Sequence, residues 1–595
     1  MIPPDTILST ISSPADLKKI KSTRELILLS EEIRTYLIDT LSNIEHAHFS
    51  ANLGVVELTV ALHYVFETPE DVLFWDIGHQ GYVHKMLTGR LDALPLIRTK
   101  NQISGFLSRE ESVYDAFGAG HAGTSISAAL GAALTGSLQE DSRHYIAVIG
   151  DASLGSGMAL EALNHLVDFP GLNLTVVIND NNCSIDSSVG GLSRHLQYLD
   201  NESKHTFFHA LGFTSIFSID GHDLDELIQT FQKCKARCGL NIVHCKTEKG
   251  KGFEPVRLGL AAHWHAPGKF DKLSGASFKS SGKQRYQDVF ADTLIELAHQ
   301  NQRITAISAG MLSGTSLIRF QEQFPDRCFD VGIAEQHAVT LAAGMASQGF
   351  VPFCAIYSTF LQRALDQIIH DVALQNLPVI FCVDRAGLVG HDGATHQGVF
   401  DISFLRNIPN LVIASPSDAH QLRNLIYTAQ LGMAYPLVIR YPRGAVEAHF
   451  APVAFQKIAM GKSKILTEGS DIMMLGLGNV VETLLSVKEL LSTVGVDAGV
   501  CDALFVKPLD ELLLHDLMKR YSKVVTVEEH VLQGGFGSAV AEFIIDHGYS
   551  NRLLRIGIPD EFVEHASPDE QREALGLNAE SLAKKIKSWL ETIVS

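Results

Sequence analysis

No apolar run in the 595 residues approaches the roughly 20 residues that a helix needs to cross a bilayer. A helical membrane protein is therefore not expected. Basic side chains are in deficit, 48 Lys and Arg against 67 Asp and Glu, leaving a net charge of −19. That sign argues against nucleic acid or an anionic membrane surface as a partner. Cysteine is sparse: the eight are scattered, with Cys354 and Cys382 inside apolar runs that read as core strands. Such thiol usage is expected of a reducing cytosol, hence a cytoplasmic protein. Cys234, Cys238 and Cys245 stand near one another, but no fourth ligand follows at zinc spacing. Short-period repeats and low-complexity tracts are also lacking, which excludes a solenoid or fibrous chain. Met1-Ile2-Pro3-Pro4-Asp5 has no basic region followed by a hydrophobic one, so no secretory signal is expected. What is there is 46% apolar content, enough for about three or four domains with substantial cores.

Two stretches interrupt the apolar periodicity. One runs from Gly268 to Lys283 and is rich in Gly, Ser and Lys; the other runs from Pro442 to Val453 and holds Pro442, Gly444 and Pro452. They divide the chain into residues 1–270, 284–445 and 455–595. In each piece, short buried-type strands alternate with helical patterns. The expected fold class is therefore α/β, three doubly wound domains with mostly parallel sheets. Ile304–Ser308, Val351–Ile356 and Pro378–Val383 are the expected strands of the middle piece, and Asp471–Leu475 and Lys523–Val527 those of the last.

The first piece contains a more pointed arrangement. The run His144–Ile149 ends at Gly150-Asp151, a helical pattern follows over Met158–Val167, and Leu174–Ile178 ends at Asn179-Asp180-Asn181. A strand–helix–strand crossover of this length makes the two strands parallel neighbours. Asp151 and Asn181 then converge at the carboxyl edge of a sheet, where α/β folds bind ligands. One carboxylate and one amide oxygen are too little for a lone divalent cation. They suit a Mg²⁺ whose other ligands come from a diphosphate, a carbonyl and water. The ordinary alternative is a pair of turn signals.

Other motifs cluster around histidine and glycine. Trp75-Asp76-Ile77-Gly78-His79-Gln80 closes a strand, and Phe117 to Ser125 forms a Gly-rich loop opening a helix, whose backbone N–H groups favour phosphate. His46 and His48 precede another helix; with His263 and His265 they invite a zinc reading, but lack Cys or carboxylate companions at ligand spacing. In the middle piece Glu335 heads an apolar helix, where a helix-start acid is the plain alternative. Tyr357 and Phe360 form an aromatic pair that a core would equally explain. The loop Gly390-His391-Asp392-Gly393-Ala394-Thr395-His396-Gln397-Gly398 is too rich in Gly, His and Asp to pack a core. Asp384-Arg385-Ala386-Gly387 and Arg440-Tyr441-Pro442-Arg443-Gly444 bring arginines to separate loops, and guanidinium forks match phosphate oxygens.

Together these motifs, with Tyr357-Ser358-Thr359-Phe360-Leu361-Gln362-Arg363-Ala364 and Gly534-Gly535-Phe536-Gly537-Ser538-Ala539, closely resemble the 1-deoxy-D-xylulose-5-phosphate synthase family of the transketolase-like thiamine-diphosphate enzymes. The likeness spans nearly the whole chain. It implies two thiamine-diphosphate-binding folds and a transketolase C-terminal-like domain. The implied reaction is decarboxylation of pyruvate with acyl transfer to D-glyceraldehyde 3-phosphate, the first step of non-mevalonate isoprenoid synthesis, in a homodimer using thiamine diphosphate and Mg²⁺. By position, the resemblance makes Asp151, Asn181 and the Cys183 carbonyl the Mg²⁺ ligands. Gly120, His121, Ala122, Ala152 and Ser153 would line the cofactor, His79 and Lys249 would meet its diphosphate, and Phe253 would stand near it. Glu335 would bond N1′ of the aminopyrimidine, and Phe360 would stack on that ring. His48, His265 and His396 would move protons, Asp392 would hold an acceptor hydroxyl, and Tyr357, Arg385 and Arg443 would fix the phosphate.

Three positions depart from the family pattern. Ala152 stands where Gly is usual; it disfavours positive φ, so strain is expected there. Phe253 replaces a frequent tyrosine. The stretch from Ser184 to Asp220 is some tens of residues shorter than usual. Two alternative functions remain: two-carbon transfer between sugar phosphates, as in transketolase, and a degenerate binding protein, which the retained Asp151, Asn181 and Glu335 disfavour.

Overall fold

The computed structural model describes residues 5–186, 188–202, 205–258, 262–278, 282–446 and 450–594. Its contacts gather into two compact units: Met1–Ser280 with Gly332–Ala334, and Ser281–Val331 with Glu335–Ser595.

The first unit is built on five strands, β1 (Val72–Trp75), β2 (Tyr145–Gly150), β3 (Leu174–Asp180), β4 (Ile216–Asp220) and β5 (Asn241–Lys246), in the order β1-β2-β3-β5-β4. All four pairings are parallel. Alternation divides each strand between two cores. Ile146 and Val148 of β2 join the helices Thr23–Leu41 and Val56–Val65, while Ala147 and Ile149 face Ser125–Leu138 and Gly157–Leu166. Burial on both faces explains the nearly continuous apolar runs.

The second unit holds two sheets. The larger uses β6 (Ile304–Ser308), β7 (Cys328–Asp330), β8 (Val351–Tyr357), β9 (Ile380–Asp384), β10 (Val412–Ala414) and β11 (Leu437–Arg440). The smaller uses β12 (Lys464–Thr467), β13 (Ile472–Leu477), β14 (Ala498–Asp502), β16 (Lys523–Val531) and β17 (Arg552–Ile558), ordered β12-β14-β13-β16-β17. The expected strands are all present, with ends shifted by a few residues.

Chain position does not decide sheet membership here. β15 (Phe505–Lys507), which follows β14, pairs antiparallel with β10 and completes a seven-stranded order β15-β10-β11-β9-β8-β6-β7. The turn into it carries Leu504 at φ 54°, and the Leu504 carbonyl accepts from Ser415 N. The two sheets also share one apolar cluster, in which Ile413 and Val438 meet Leu475, Val506 and Phe536. The residues 284–445 and 455–595 thus belong to one compact unit.

The composition-based linkers are more ordered than expected. Phe270, 2% exposed, bridges to Ser277, and the Asp271 carboxylate accepts from Ser274 N at 2.8 Å, folding 268–278 into a turn. Residues 279–281 of that stretch lie outside the described residues, as do 447–449 of the second. The latter begins tightly, with Tyr441 fully buried and Ala445 bridged to Arg285.

Candidate functional site

In the first unit, β2 and β3 place Gly150 opposite Asn179. Asp151 and Asn181 therefore leave adjacent strand ends, as the crossover spacing predicts. The Asp151 carboxylate accepts from Ser188 Oγ at 2.7 Å, and the Asn181 side-chain oxygen accepts from Cys183 N at 3.1 Å. Burial pushes the Asp151 carboxyl up to about 7, and the nearby Asp180 adds to the shift. A divalent cation would favour its charged form, and the amide and peptide oxygens of Asn181 and Cys183 are hard donors of the kind Mg²⁺ takes. The residues present thus fit the cation. No group of three or more His, Cys, Asp or Glu able to hold a metal occurs among the described residues. A cation here needs ligands from a bound anion and water. The Lys249 ammonium donates to the Ser184 carbonyl at 2.5 Å, which ties the loop after β5 to the one after β3.

Three histidines that the resemblance singles out pack together. Ring centroids lie 5.5 Å apart for His48 and His79, 5.1 Å for His48 and His265, and 5.4 Å for His79 and His265. The buried Nδ1 of His79 makes no hydrogen bond within the protein. Burial, helped by the Lys249 charge, lowers its pKa to about 3, so the ring is neutral. An orphaned, buried ring nitrogen is a site for a ligand's polar group. Gly120 and Ala122 are buried and His121 is half-buried.

The structure departs from expectation at two places in this unit. The Gly123 and Ser125 amides at the helix start donate at 2.8 and 3.1 Å to the carboxylate of Asp76, which is 1% exposed. Those donors serve the protein's own acid instead of a phosphate. Ala152 lies inside the helical turn Asp151–Leu154 and has no positive φ. Alanine adopts that conformation readily, so no strain arises. Ser153 is buried in the same turn. Phe253 sits in an aromatic cluster with Phe49 and Trp264, each at 5.3 Å, and Phe270 at 5.6 Å. That packing has no use for a hydroxyl.

In the second unit, Glu335 begins the helix Glu335–Ser347 and is 3% exposed. Its Oε2 has no hydrogen-bond partner, and the Arg363 guanidinium stands 3.8 Å away. Burial pushes the carboxyl up. Tyr357 ends β8 and Phe360 follows on the next turn, their rings stacked at 5.6 Å and 8°. His396 meets Phe360 edge-on at 5.6 Å. Arg385 takes the left-handed conformation, φ 59°, after β9, uncommon for a non-glycine residue and frequent at functional sites. Its guanidinium lies 4.2 Å over the Tyr357 ring, and its Nη1 donates to Asp384 at 2.5 Å. Burial opposes the arginine's charge, but Asp384 outweighs it and raises the pKa.

The arginine pair resolves into unequal members. Arg440 is buried against Asp401 at 2.9 Å, whereas Arg443, partly exposed, donates to Asp392 at 2.7 Å and to the Val389 carbonyl at 2.9 Å. Asp392, expected to hold an acceptor hydroxyl, is thus engaged with an arginine expected to hold phosphate.

Sequence reasoning passed over three participants. Arg98, 3% exposed, brings Nη1 within 3.4 Å of His48 Nδ1, and the Tyr82 hydroxyl is equally close. Ser188 bonds Asp151. Tyr82 could have been found as the third residue after His79; Arg98 and Ser188 lie in stretches with no motif to mark them.

A family model described as 1-deoxy-D-xylulose-5-phosphate synthase matches residues 8–205 and 200–247. The transketolase pyrimidine binding domain matches 282–448, and the transketolase C-terminal domain matches 461–582. The fold and matched models together define a transketolase-class α/β enzyme. Among curated relatives, the 1-deoxy-D-xylulose-5-phosphate synthase of Cytophaga hutchinsonii is 45% identical, covering 99% of each chain. Those of Parabacteroides distasonis and Thermomicrobium roseum are 44% and 46% identical, covering 98% of each chain. This chain belongs to the 1-deoxy-D-xylulose-5-phosphate synthase family. The first alignment runs over 633 positions against 595 residues here, so at least 38 positions of that relative have no counterpart. The two matched segments of the first family model overlap at residues 200–205, inside the stretch from Ser184 to Asp220.

Proposed function

We propose that this chain joins pyruvate-derived two-carbon units to D-glyceraldehyde 3-phosphate with loss of CO₂, using thiamine diphosphate and Mg²⁺. The observation that carries the reading is Glu335: a buried carboxyl at a helix head, its pKa raised, with one oxygen that accepts no hydrogen bond within the protein. A carboxyl in that state shares a proton with a ring nitrogen brought beside it, the role an aminopyrimidine N1′ requires. Phe360 offers that ring a stacking face. Thiamine diphosphate supplies, when bound, the carbon nucleophile and electron sink that decarboxylating a 2-oxo acid demands.

The remaining roles follow from residue chemistry. Asp151, Asn181 and the Cys183 carbonyl hold Mg²⁺. His79 and Lys249, with Gly120, His121, Ala122, Ala152 and Ser153, receive the diphosphate. The neutral His79 ring donates or accepts without adding charge. His48, His265 and His396 are assigned proton transfer to and from the reacting carbonyl oxygens. Arg385, held by Asp384 and stacked on Tyr357, and Arg443, oriented by Asp392, bind the acceptor's phosphate as rigid forks. The Arg443–Asp392 pair also makes Asp392 a reporter of phosphate arrival, since the phosphate competes for the same guanidinium. A cytoplasmic homodimer fits this assignment; no helix among the described residues is long and apolar enough to cross a membrane.

The test is substrate dependence. Purified protein with thiamine diphosphate and Mg²⁺ should release CO₂ from pyruvate mainly when D-glyceraldehyde 3-phosphate is present. Rapid turnover of a ketose phosphate donor without pyruvate would instead establish the transketolase reaction.

A further inference from the structure

The loop that carries His391, Asp392 and His396 is closed at its base by a two-way bridge between Gly387 and Gly398, with N–O distances of 2.7 and 2.8 Å. Within it, three successive backbone amides are each taken by a buried side chain. Leu388 N donates to Glu529 Oε2 at 3.3 Å, Val389 N to Gln397 Oε1 at 2.8 Å, and Gly390 N to Gln571 Oε1 at 3.1 Å. Gln571 also returns a bond, from Nε2 to the Gly390 carbonyl at 3.1 Å, and reaches the Glu564 carbonyl at 2.7 Å. Glu529 is itself fixed by Arg572 Nε at 2.8 Å and Asn479 Nδ2 at 3.2 Å. Two of the three acceptors therefore come from the last part of the chain, beyond the seven-stranded sheet whose loops hold the arginines.

The packing is equally close. A Cβ on Gly390 would lie 2.9 Å from Pro568 Cδ, and one on Gly393 would lie 3.2 Å from the backbone N of His565. The Val389 carbonyl, between two clamped residues, accepts from Arg443. The position of that guanidinium thus depends on where the clamp holds residues 388–390.

We propose that Gln571, with Glu529, is a positioning residue for the acceptor's phosphate, acting through the backbone of Leu388–Gly390 on Arg443 and Asp392. The inference rests on the acceptor role proposed above for Arg443. Gln571 touches no reacting group itself; its amide copies a peptide unit and locks the loop as a neighbouring strand would. Displacing a binding fork by about 1 Å costs up to about a hundredfold in rate, so releasing one of three anchors should cost about tenfold.

The experiment compares wild type, Gln571→Met and Arg443→Ala as holoenzymes, with D-glyceraldehyde 3-phosphate and with unphosphorylated D-glyceraldehyde as acceptor. Gln571→Met keeps length and volume and removes every polar contact. Expected is a rise of about tenfold in KM for the phosphorylated acceptor, with KM for pyruvate, affinity for thiamine diphosphate and kcat/KM for D-glyceraldehyde unchanged. An unaltered acceptor KM, or equal losses with both acceptors, would overturn the inference. If Arg443→Ala discriminates between the acceptors and Gln571→Met does not, only the role of Gln571 fails. If Arg443→Ala does not discriminate either, the acceptor reading itself fails. Should Gln571→Met not retain cofactor, the isosteric Gln571→Glu, which loses both donated bonds, serves the same comparison.

Discussion

Burial tilts Asp151 and Glu335 alike toward the protonated form, and their surroundings separate their tasks. Asp151 accepts from the Ser188 hydroxyl at a strand end next to the one that leads to Asn181, whose amide oxygen is a hard donor suited to a cation. Glu335 stands at a helix head, its Oε2 accepting no hydrogen bond and 3.8 Å from the Arg363 guanidinium, which leaves that oxygen open to a ring nitrogen. Glu335→Ala should therefore lower turnover by about a hundredfold or more while leaving Mg²⁺-dependent cofactor binding largely intact. Deuterium exchange at C2 of the bound thiazolium and calorimetric titration of the cofactor separate the two effects. Loss of all binding in that variant would contradict the assigned role. At this scale the residues were legible wherever a motif surrounded them. Arg98 was not, because a lone arginine carries no local sign of a histidine fifty positions away.

Helix starts and tight loops are where side chains meet backbone, and one junction of each kind has measurable consequences. Glu528, on β16, accepts from Phe536 N at 2.6 Å and Gly537 N at 2.8 Å at the start of the helix Phe536–Asp546. Burial nevertheless pushes its carboxyl from the ordinary 4.5 up to about 7. The native state then binds the proton more tightly than the unfolded chain, so this group's contribution to stability is fully present below about 4.5. It is lost as pH rises through 7, by about 3 kcal/mol in all. Glu528→Gln should remove that slope, and thermal melts at pH 5 and pH 8 would then differ less than in wild type. An identical slope in the two proteins would assign the effect elsewhere. At the second junction, Gly393 has φ 73° and a backbone neighbour at the Cβ position. Gly393→Ala should raise the KM for the phosphorylated acceptor, through both strain and displacement of the loop, as initial-rate measurements would record. A KM equal to wild type would show that the loop tolerates the shift.

For the whole molecule, the three pieces marked by composition become two compact units. Phe505, 1% exposed, anchors β15 in the larger sheet of the second unit, and the two sheets share one apolar cluster. Scanning calorimetry of the cofactor-free protein should show the residues after 282 unfolding in a single transition. Phe505→Ala, which removes a core ring worth about 3–5 kcal/mol, should lower that transition and leave the other in place. Separate melting of the two sheets would refute the shared core.

The sequence by itself determined the α/β class, the strand positions and the Gly150-Asp151 to Asn181 crossover. Each of these rests on short-range periodicity and on the geometric necessity that such a crossover makes parallel neighbours. The motifs likewise marked Glu335, His396 and the arginines. Only the tertiary structure decided that β15 crosses to the other sheet, that Asp76 occupies the helix-start amides, that Ala152 lies unstrained in a helical turn, and that Arg440 is committed to Asp401 while Arg443 is turned to Asp392. It also decided that Glu529 and Gln571 hold the loop between Gly387 and Gly398. Most of those outcomes depend on partners some forty or more residues apart, and more than a hundred for Glu529 and Gln571; hydrogen bonding and close packing select such partners by three-dimensional fit, which local spacing does not encode.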